Sequence, residues 1–158
     1  MKIGIMGGTF NPIHNAHLLI AEMAREEYGL DRVIFITDGN PPHKSANVTA
    51  KQRFEMTHIA IADNSAFEED DFEINRSEKS YTVNTLGYLK EKYPNDDLFF
   101  IIGEDSLNDF DKWYKPDKIL EMCSLLVFPR KSLKSLTETI KAVKEKMNGR
   151  IFPISAPV

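Results

Sequence analysis

The sequence predicts an α/β protein built on an open parallel sheet with helices on both faces. Three observations carry that reading. Predominantly apolar runs of strand length ("KIGIM", "RVIFIT", "LFFII", "SLLVF") recur along the chain, as strands buried on both faces require. Amphipathic stretches of helical period stand between them. The two kinds of segment alternate from one end to the other, the pattern of βαβ units.

Taken in order, "KIGIM" at residues 2–6 is the first strand. "AHLLIAEMAREEY" then sets Ala16, Leu19, Ile20, Met23 and Ala24 on one helical face and Glu22, Arg25 and Glu26 on the other. Gly29 stops that helix, and "RVIFIT" at residues 32–37 is the second buried strand. "DGNPPHKSANVT" is loop by composition, because Gly39, Pro41 and Pro42 leave no room for regular structure. A helix is expected over residues 50–62, then a weak strand around residues 72–74 within the acidic "EEDDFEINR". "YTVNTLGYLKEKYP" places Val83, Leu86, Leu89 and Tyr93 on an inner helical face and stops before Pro94. "LFFIIGED" and "SLLVFPR" supply the third and fourth clear strands. "LTETIKAVKEKM" is a further amphipathic helix, with Leu136, Ile140, Val143 and Met147 in one stripe, and "RIFPIS" a last strand. No repeat, low-complexity tract or linker interrupts the series.

At 158 residues and 42% hydrophobic content, the chain can bury a normal core as one domain. Its net charge of -4 argues against a protein that coats nucleic acid, while leaving room for a small anionic ligand held by a local cluster of donors. The single cysteine, Cys123, cannot form an internal disulfide and reads as a small buried hydrophobe in a reducing compartment. The apolar run near the start is too short for a signal peptide, and no segment is long enough to span a bilayer. A cytoplasmic protein with no membrane partner is expected, and a homo-oligomer is allowed.

Open parallel sheets bind ligands beyond the carboxyl ends of their strands. Four unusual loops fall there: residues 7–14 after the first strand, 38–44 after the second, 103–105 after "LFFII", and Arg130 after "LLVF". In "GGTFNPIHNAH" at residues 7–17, Gly7 and Gly8 let a ligand approach the backbone. The helix that follows offers unpaired amides and the positive end of its dipole. His14 and His17, three residues apart at that helix start, can project toward one anion. The plainer alternative is a tight turn with two surface histidines. Neither G-x-x-x-x-G-K-[ST] nor G-x-G-x-x-G is present, so a P-loop and a dinucleotide fingerprint are both unsupported. Asp63, Asp70 and Asp71 read as a solvated acidic loop, and His43 and His58 have no partner at zinc spacing.

"GGTFNPIHNAH" resembles the signature of the nucleotidyltransferase superfamily with its T/H-x-G-H core, with Ala16 where glycine is usual. "PPHK", "RFEMTHIAIA", "YTVNTLGYLKEKYP", "FFIIGEDSLNDFDKW" and "LLVFPR", in that order, resemble the bacterial nicotinate mononucleotide adenylyltransferases over nearly the whole chain. The resemblance implies a Rossmann-like nucleotidyltransferase fold and transfer of the adenylyl group of ATP to nicotinate mononucleotide, with Mg²⁺ accompanying ATP. It implies a single domain over residues 1–158 lacking the family's C-terminal I-S-S-T-x-x-R segment, since the sequence closes on "RIFPISAPV". Gly7, Gly8, Thr9, Phe10, His14 and His17 would surround the ATP phosphates, with His14, His17 and Lys44 as the catalytic donors. Gly103 and Asp105 would hold the adenosine, Asp105 accepting from ribose hydroxyls or else capping a helix. Thr85, Trp113, Lys44 and Arg130 would face the acceptor, with backbone amides near Thr85 receiving the nicotinate carboxylate. Trp113 could equally be a packing residue, Lys44 a solvated side chain and Arg130 half of a structural ion pair. No metal ligand among the side chains is implied. A phosphopantetheine adenylyltransferase-like enzyme, a cytidylyltransferase and a nucleotide-binding module with little turnover are the alternatives.

Overall fold

The structure is a computed structural model that describes residues 1–8, 10, 13–39, 49–76 and 80–155. Six strands form one sheet: β1 (Lys2–Gly8), β2 (Arg32–Thr37), β3 (Phe67–Asp70), β4 (Asp97–Gly103), β5 (Ser124–Phe128) and β6 (Ile151–Pro153). Their order is β3-β2-β1-β4-β5-β6, and every adjacent pair is parallel. The helices are α1 (Asn15–Tyr28), α2 (Ala50–Ile61), α3 (Thr82–Lys92), α4 (Glu104–Asn108), α5 (Pro116–Met122) and α6 (Leu133–Lys146).

Period-two alternation along the strands divides the core between the two faces of the sheet. Ile3 and Ile5 of β1, Ile34 and Ile36 of β2 and Phe100 and Ile102 of β4 point toward α3, α5 and α6, meeting Leu86, Leu89, Ile119 and Leu136. Met6, Val33, Phe35 and Ile101 point the other way, onto Ile20, Ala21 and Ala24 of α1 and Ile61 of α2. Both faces are covered, which is why the strands carry predominantly apolar sequence. Cys123 lies in the first of these layers, fully buried, and burial pushes its thiol up to about 12. No helix of the described residues is long and apolar enough to cross a membrane.

The ends of the helices follow local chemistry. Thr49 and Gln52 cap α2 reciprocally, each side chain accepting from the other's backbone amide at 3.1 and 3.0 Å. Gly29 closes α1 in the left-handed region at φ 64°.

Two local expectations fail. The edge strand is Phe67–Asp70, not residues 72–74, which form a turn. Phe67 pairs with Val33 and is buried against Phe35, so one aromatic anchors an edge strand that local propensity does not mark. Asp70 is not solvated either. It is buried, and it accepts from Tyr88 Oη at 2.9 Å, Lys92 Nζ at 3.0 Å and the Phe72 amide at 2.9 Å.

Candidate functional site

The sheet order reverses between β1 and β4: the chain runs outward to β2 and β3 on one side, then to β5 and β6 on the other. A cleft opens at such a reversal because the flanking helices lie on opposite faces. Here it holds a cavity of about 350 Å³. Gly7 and Gly8 end β1 on one wall, with His17 of α1 beside them. Thr85 of α3, Gly103 at the end of β4 and Trp113 form the opposite side.

The two glycines do different things. A Cβ on Gly8 would come within 3.0 Å of the Phe10 ring, whereas one on Gly7 would meet nothing closer than 3.9 Å. Gly8 therefore makes room for Phe10, and Gly7 leaves its backbone open to the cavity. Phe10 itself adopts φ 49°, an unfavourable conformation for a bulky residue, and its ring is buried between His17 (5.2 Å between centroids) and Phe35 (6.1 Å). Its side chain belongs to the core under the loop rather than to the cavity wall.

His14 is the N-cap of α1, with an exposed side chain 4.6 Å from the His17 ring. Its backbone N–H donates to His17 Nδ1 at 3.1 Å. That bond makes Nδ1 an acceptor and leaves the proton of the neutral ring on Nε2, the nitrogen available to a ligand. Burial, aided by the neighbouring His14, lowers the His17 pKa and keeps that ring neutral.

Across the cavity, Thr85 is the fourth residue of α3, and its amide already donates to Tyr81 O at 3.2 Å. Asn84 N also donates to Tyr81 O, at 3.0 Å. The donors left by α3's own bonding are thus the amides of Thr82 and Val83, two and three residues before Thr85. The Thr85 hydroxyl, 4% exposed as a residue, donates to Glu73 Oε2 at 2.6 Å. Trp113 packs against Phe110 (5.0 Å) and edge-on to Phe100 (6.1 Å) while still lining the cavity, so its packing and cavity roles coexist.

Asp105 is the second residue of α4, and Gly103 occupies the N-cap position, so Asp105 caps nothing. It stands outside the cavity wall, 3.4 Å from Arg130, and both side chains are largely exposed. Its neighbour Glu104 turns inward and accepts from the Arg130 amide, Ser135 Oγ and Thr139 Oγ1, each at 3.1 Å. Burial alone would raise the Glu104 carboxyl, but those three donors outweigh it and hold it below the usual range. Arg130 therefore presents its amide to a structural carboxylate and its guanidinium to an exposed one. Thr9 and Lys44 lie outside the described residues.

Asp38, which opens the 38–44 loop expected at this edge, completes the site together with Arg53 and Glu73, to which the sequence assigns no role. Asp38 follows β2, extending the sheet with an N–H to Gly8 O bond of 2.9 Å. Arg53 of α2, buried, donates to the Asp38 carbonyl at 2.7 Å and fixes the end of that strand. Glu73 enters from the turn after β3, and both Asp38 and Glu73 line the cavity. Among the described residues, no three His, Cys, Asp or Glu side chains converge as a metal site would need.

The Cytidylyltransferase-like family matches residues 5–155 of this chain. A "Probable nicotinate-nucleotide adenylyltransferase" of Citrifermentans bemidjiense is 48% identical over 89% of the chain and 67% of its own length. A protein of the same name from Pelobacter propionicus is 45% identical over 96% of the chain and 70% of its own length. In three dimensions the chain is similar to a Plasmodium falciparum nicotinic acid mononucleotide adenylyltransferase complexed with NaAD, with a TM-score of 0.79 and 22% identity. That match covers 99% of this chain and 76% of the other. At such identity the likeness is one of fold.

Proposed function

The chain belongs to the cytidylyltransferase-like family and, within it, to the nicotinate-nucleotide adenylyltransferases; from this premise we infer that it transfers the adenylyl group of ATP to nicotinate mononucleotide, giving nicotinate adenine dinucleotide and pyrophosphate. An oxygen of the acceptor's 5′-phosphate attacks the α-phosphorus of ATP, and the bond from that phosphorus to the bridging oxygen of pyrophosphate breaks. The nucleophile is already an anion at neutral pH, so the protein needs neither a covalent intermediate nor a strong base. Its task is to hold two anions in line and to meet the charge that develops on the transferring group and the leaving pyrophosphate.

The observation that carries this reading is a cavity at the sheet reversal, with donors at one end and an aromatic surface at the other. The Gly7 backbone, the α1 N-terminus and Nε2–H of His17 suit phosphate oxygens, with His14 beside them and Lys44 as a further cation. Phe10 contributes backbone to the loop after β1, and Thr9 is assigned to the same phosphates. Gly103, whose missing Cβ makes room for the Phe128 ring, offers its backbone at the end of β4 to adenosine, and Asp105 is placed to accept from ribose hydroxyls. Trp113 offers its face to the pyridine ring, and the Thr82 and Val83 amides at the start of α3 suit the nicotinate carboxylate. Arg130 adds positive charge beside Asp105. Mg²⁺ accompanying ATP would supply charge neutralisation at its phosphates. The reaction and the buried thiol of Cys123 suit the cytoplasm.

The test is to incubate the protein with ATP and Mg²⁺ and, separately, nicotinate mononucleotide, nicotinamide mononucleotide or phosphopantetheine, and to identify products by mass. Nicotinate adenine dinucleotide forming fastest is the expected result. A product only with phosphopantetheine, or none with any acceptor, would overturn the reading.

A further inference from the structure

Glu73 has no part in the reaction as described, yet its side chain stands in the wall of the same cavity. It comes from the turn after β3, whose backbone packs so closely on the loop after β2 that a Cβ on Gly39 would overlap the Glu73 carbonyl oxygen. The same added atom would lie 2.7 Å from Ile74 Cα. Glu73 is thus held in place from β2, and its Oε2 is held from α3 by the Thr85 hydroxyl at 2.6 Å. Ser80, Thr82 and Trp113 line the cavity with it, at the end assigned to the acceptor's pyridine ring.

The groups around this carboxyl come from each neighbouring element. Asp38, after β2, adds negative charge, and Arg76, on its own turn, adds positive charge. His17 of α1 faces the cavity with its ring held neutral. α3 contributes the Thr85 hydroxyl, and the α4 side contributes the uncharged Ser106. Burial is the largest influence and pushes the Glu73 carboxyl up to about 7, with Asp38 adding to it and Thr85 and Arg76 opposing.

We propose that Glu73 receives the acceptor as the neutral acid, so that docking of the nicotinate carboxylate is coupled to uptake of one proton by Glu73. The proposal rests on the acceptor assignment above. An ionised Glu73 and a nicotinate carboxylate would be two like charges in one partly buried pocket, and such a pair keeps one proton. Protonated, Glu73 donates an O–H toward the ligand while its other oxygen still accepts from Thr85. Nicotinamide mononucleotide carries the same 5′-phosphate with an uncharged amide, which makes no such demand.

Calorimetry of the wild-type protein with each mononucleotide at pH 7.5, in two buffers of different ionisation enthalpy, measures the protons taken up. The nicotinate ligand is expected to take up at least about half a proton more than the nicotinamide ligand, and its Kd to rise by up to about tenfold per pH unit above pH 7. Glu73→Gln keeps an acceptor for Thr85 and a donor for the ligand, and should lose both effects. Equal uptake by the two ligands, or an excess that survives in Glu73→Gln, overturns the proposal. Where the nicotinamide ligand binds too weakly to titrate, wild type against Glu73→Gln decides it. Where the variant folds poorly, the two-ligand comparison on the wild type decides. Nicotinate mononucleotide binding without excess uptake sinks this proposal alone; failure of both mononucleotides to bind sinks the acceptor assignment with it.

Discussion

The two ends of the cavity answer burial in opposite ways. At the β1–α1 end, burial lowers the pKa of His17 and strips the imidazole of its charge. At the β3–α3 end, the same cause raises Glu73 and strips the carboxyl of its own. A base and an acid are both driven toward neutrality because a partly dehydrated cleft penalises charge of either sign. The difference lies in what each neutral group offers. His17 presents Nε2–H with its tautomer fixed by His14, and Glu73 presents a carboxyl whose proton is about half present near pH 7. For an enzyme whose two substrates are both anions, driving these two side chains toward neutrality leaves the ligands to supply more of the charge.

The largest expected effect breaks the donor end. His17→Ala removes a pre-set N–H, and His14→Ala removes the ring that flanks it; each should lower kcat by roughly a hundredfold or more, the scale for losing one transition-state donor. Steady-state kinetics beside a thermal melt will check it. Turnover within a few-fold of wild type would make the pair a helix cap and nothing more. A smaller effect breaks the other end alone. Trp113→Ala should raise KM for the mononucleotide about tenfold and leave KM for ATP nearly unchanged, since only the acceptor's ring meets the indole. Equal rises for both substrates would mean that the loss of packing on Phe100 and Phe110 had deformed the whole cleft.

The opposing shifts also set opposite trends in stability. Glu73 is raised in the folded state, so between its unfolded value of 4.5 and about 7 the folded chain binds more protons, and stability declines as pH rises through that window. His17 is lowered from 6.5, so the unfolded chain binds more protons as pH falls below that value, and stability declines toward acid. The Tm of Glu73→Gln relative to wild type should therefore climb from pH 5 to pH 8, and that of His17→Gln should climb from pH 7 to pH 5. Parallel trends in the two variants would show that burial does not act on the two ends in this opposed way.

The same contrast explains what the sequence revealed. The donor end is one contiguous stretch, residues 7–17, so its glycines and histidines could be read together with the strand before them and the helix after. The alternation of buried strands and amphipathic helices gave the sheet and brought four loops to one edge, and the order β3-β2-β1-β4-β5-β6 bears this out. The acceptor end is assembled from distant segments. Glu73 sits in "EEDDFEINR", where nothing local separates it from the other acids of the stretch. Only the close approach of Gly39 to its carbonyl, a contact between segments thirty-four residues apart, turns it into the cavity. Edge strand Phe67–Asp70 escaped for a related reason, because a single buried phenylalanine fixes it in tertiary space. The short helices α4 and α5 were too brief to show a period.

The smallest expected effect sharpens the comparison within a single turn. Glu104 and Asp105 are adjacent acids at the start of α4, but Glu104 is buried and bound by three donors while Asp105 shares one 3.4 Å contact with Arg130. The Asp105 and Arg130 side chains are 69% and 65% exposed, so water competes for both and salt screens the pair. A double-mutant cycle with Asp105→Asn and Arg130→Met should give a coupling to unfolding of no more than about 0.5 kcal/mol. The same Asp105→Asn change should still raise KM for ATP several-fold, because a ribose hydroxyl would lose a charged acceptor. The two measurements separate the roles that the sequence left open. A coupling well above 1 kcal/mol, with KM for ATP unmoved, would make the Asp105–Arg130 pair a strut between α4 and the end of β5, and would return the adenosine contact to the backbone at Gly103.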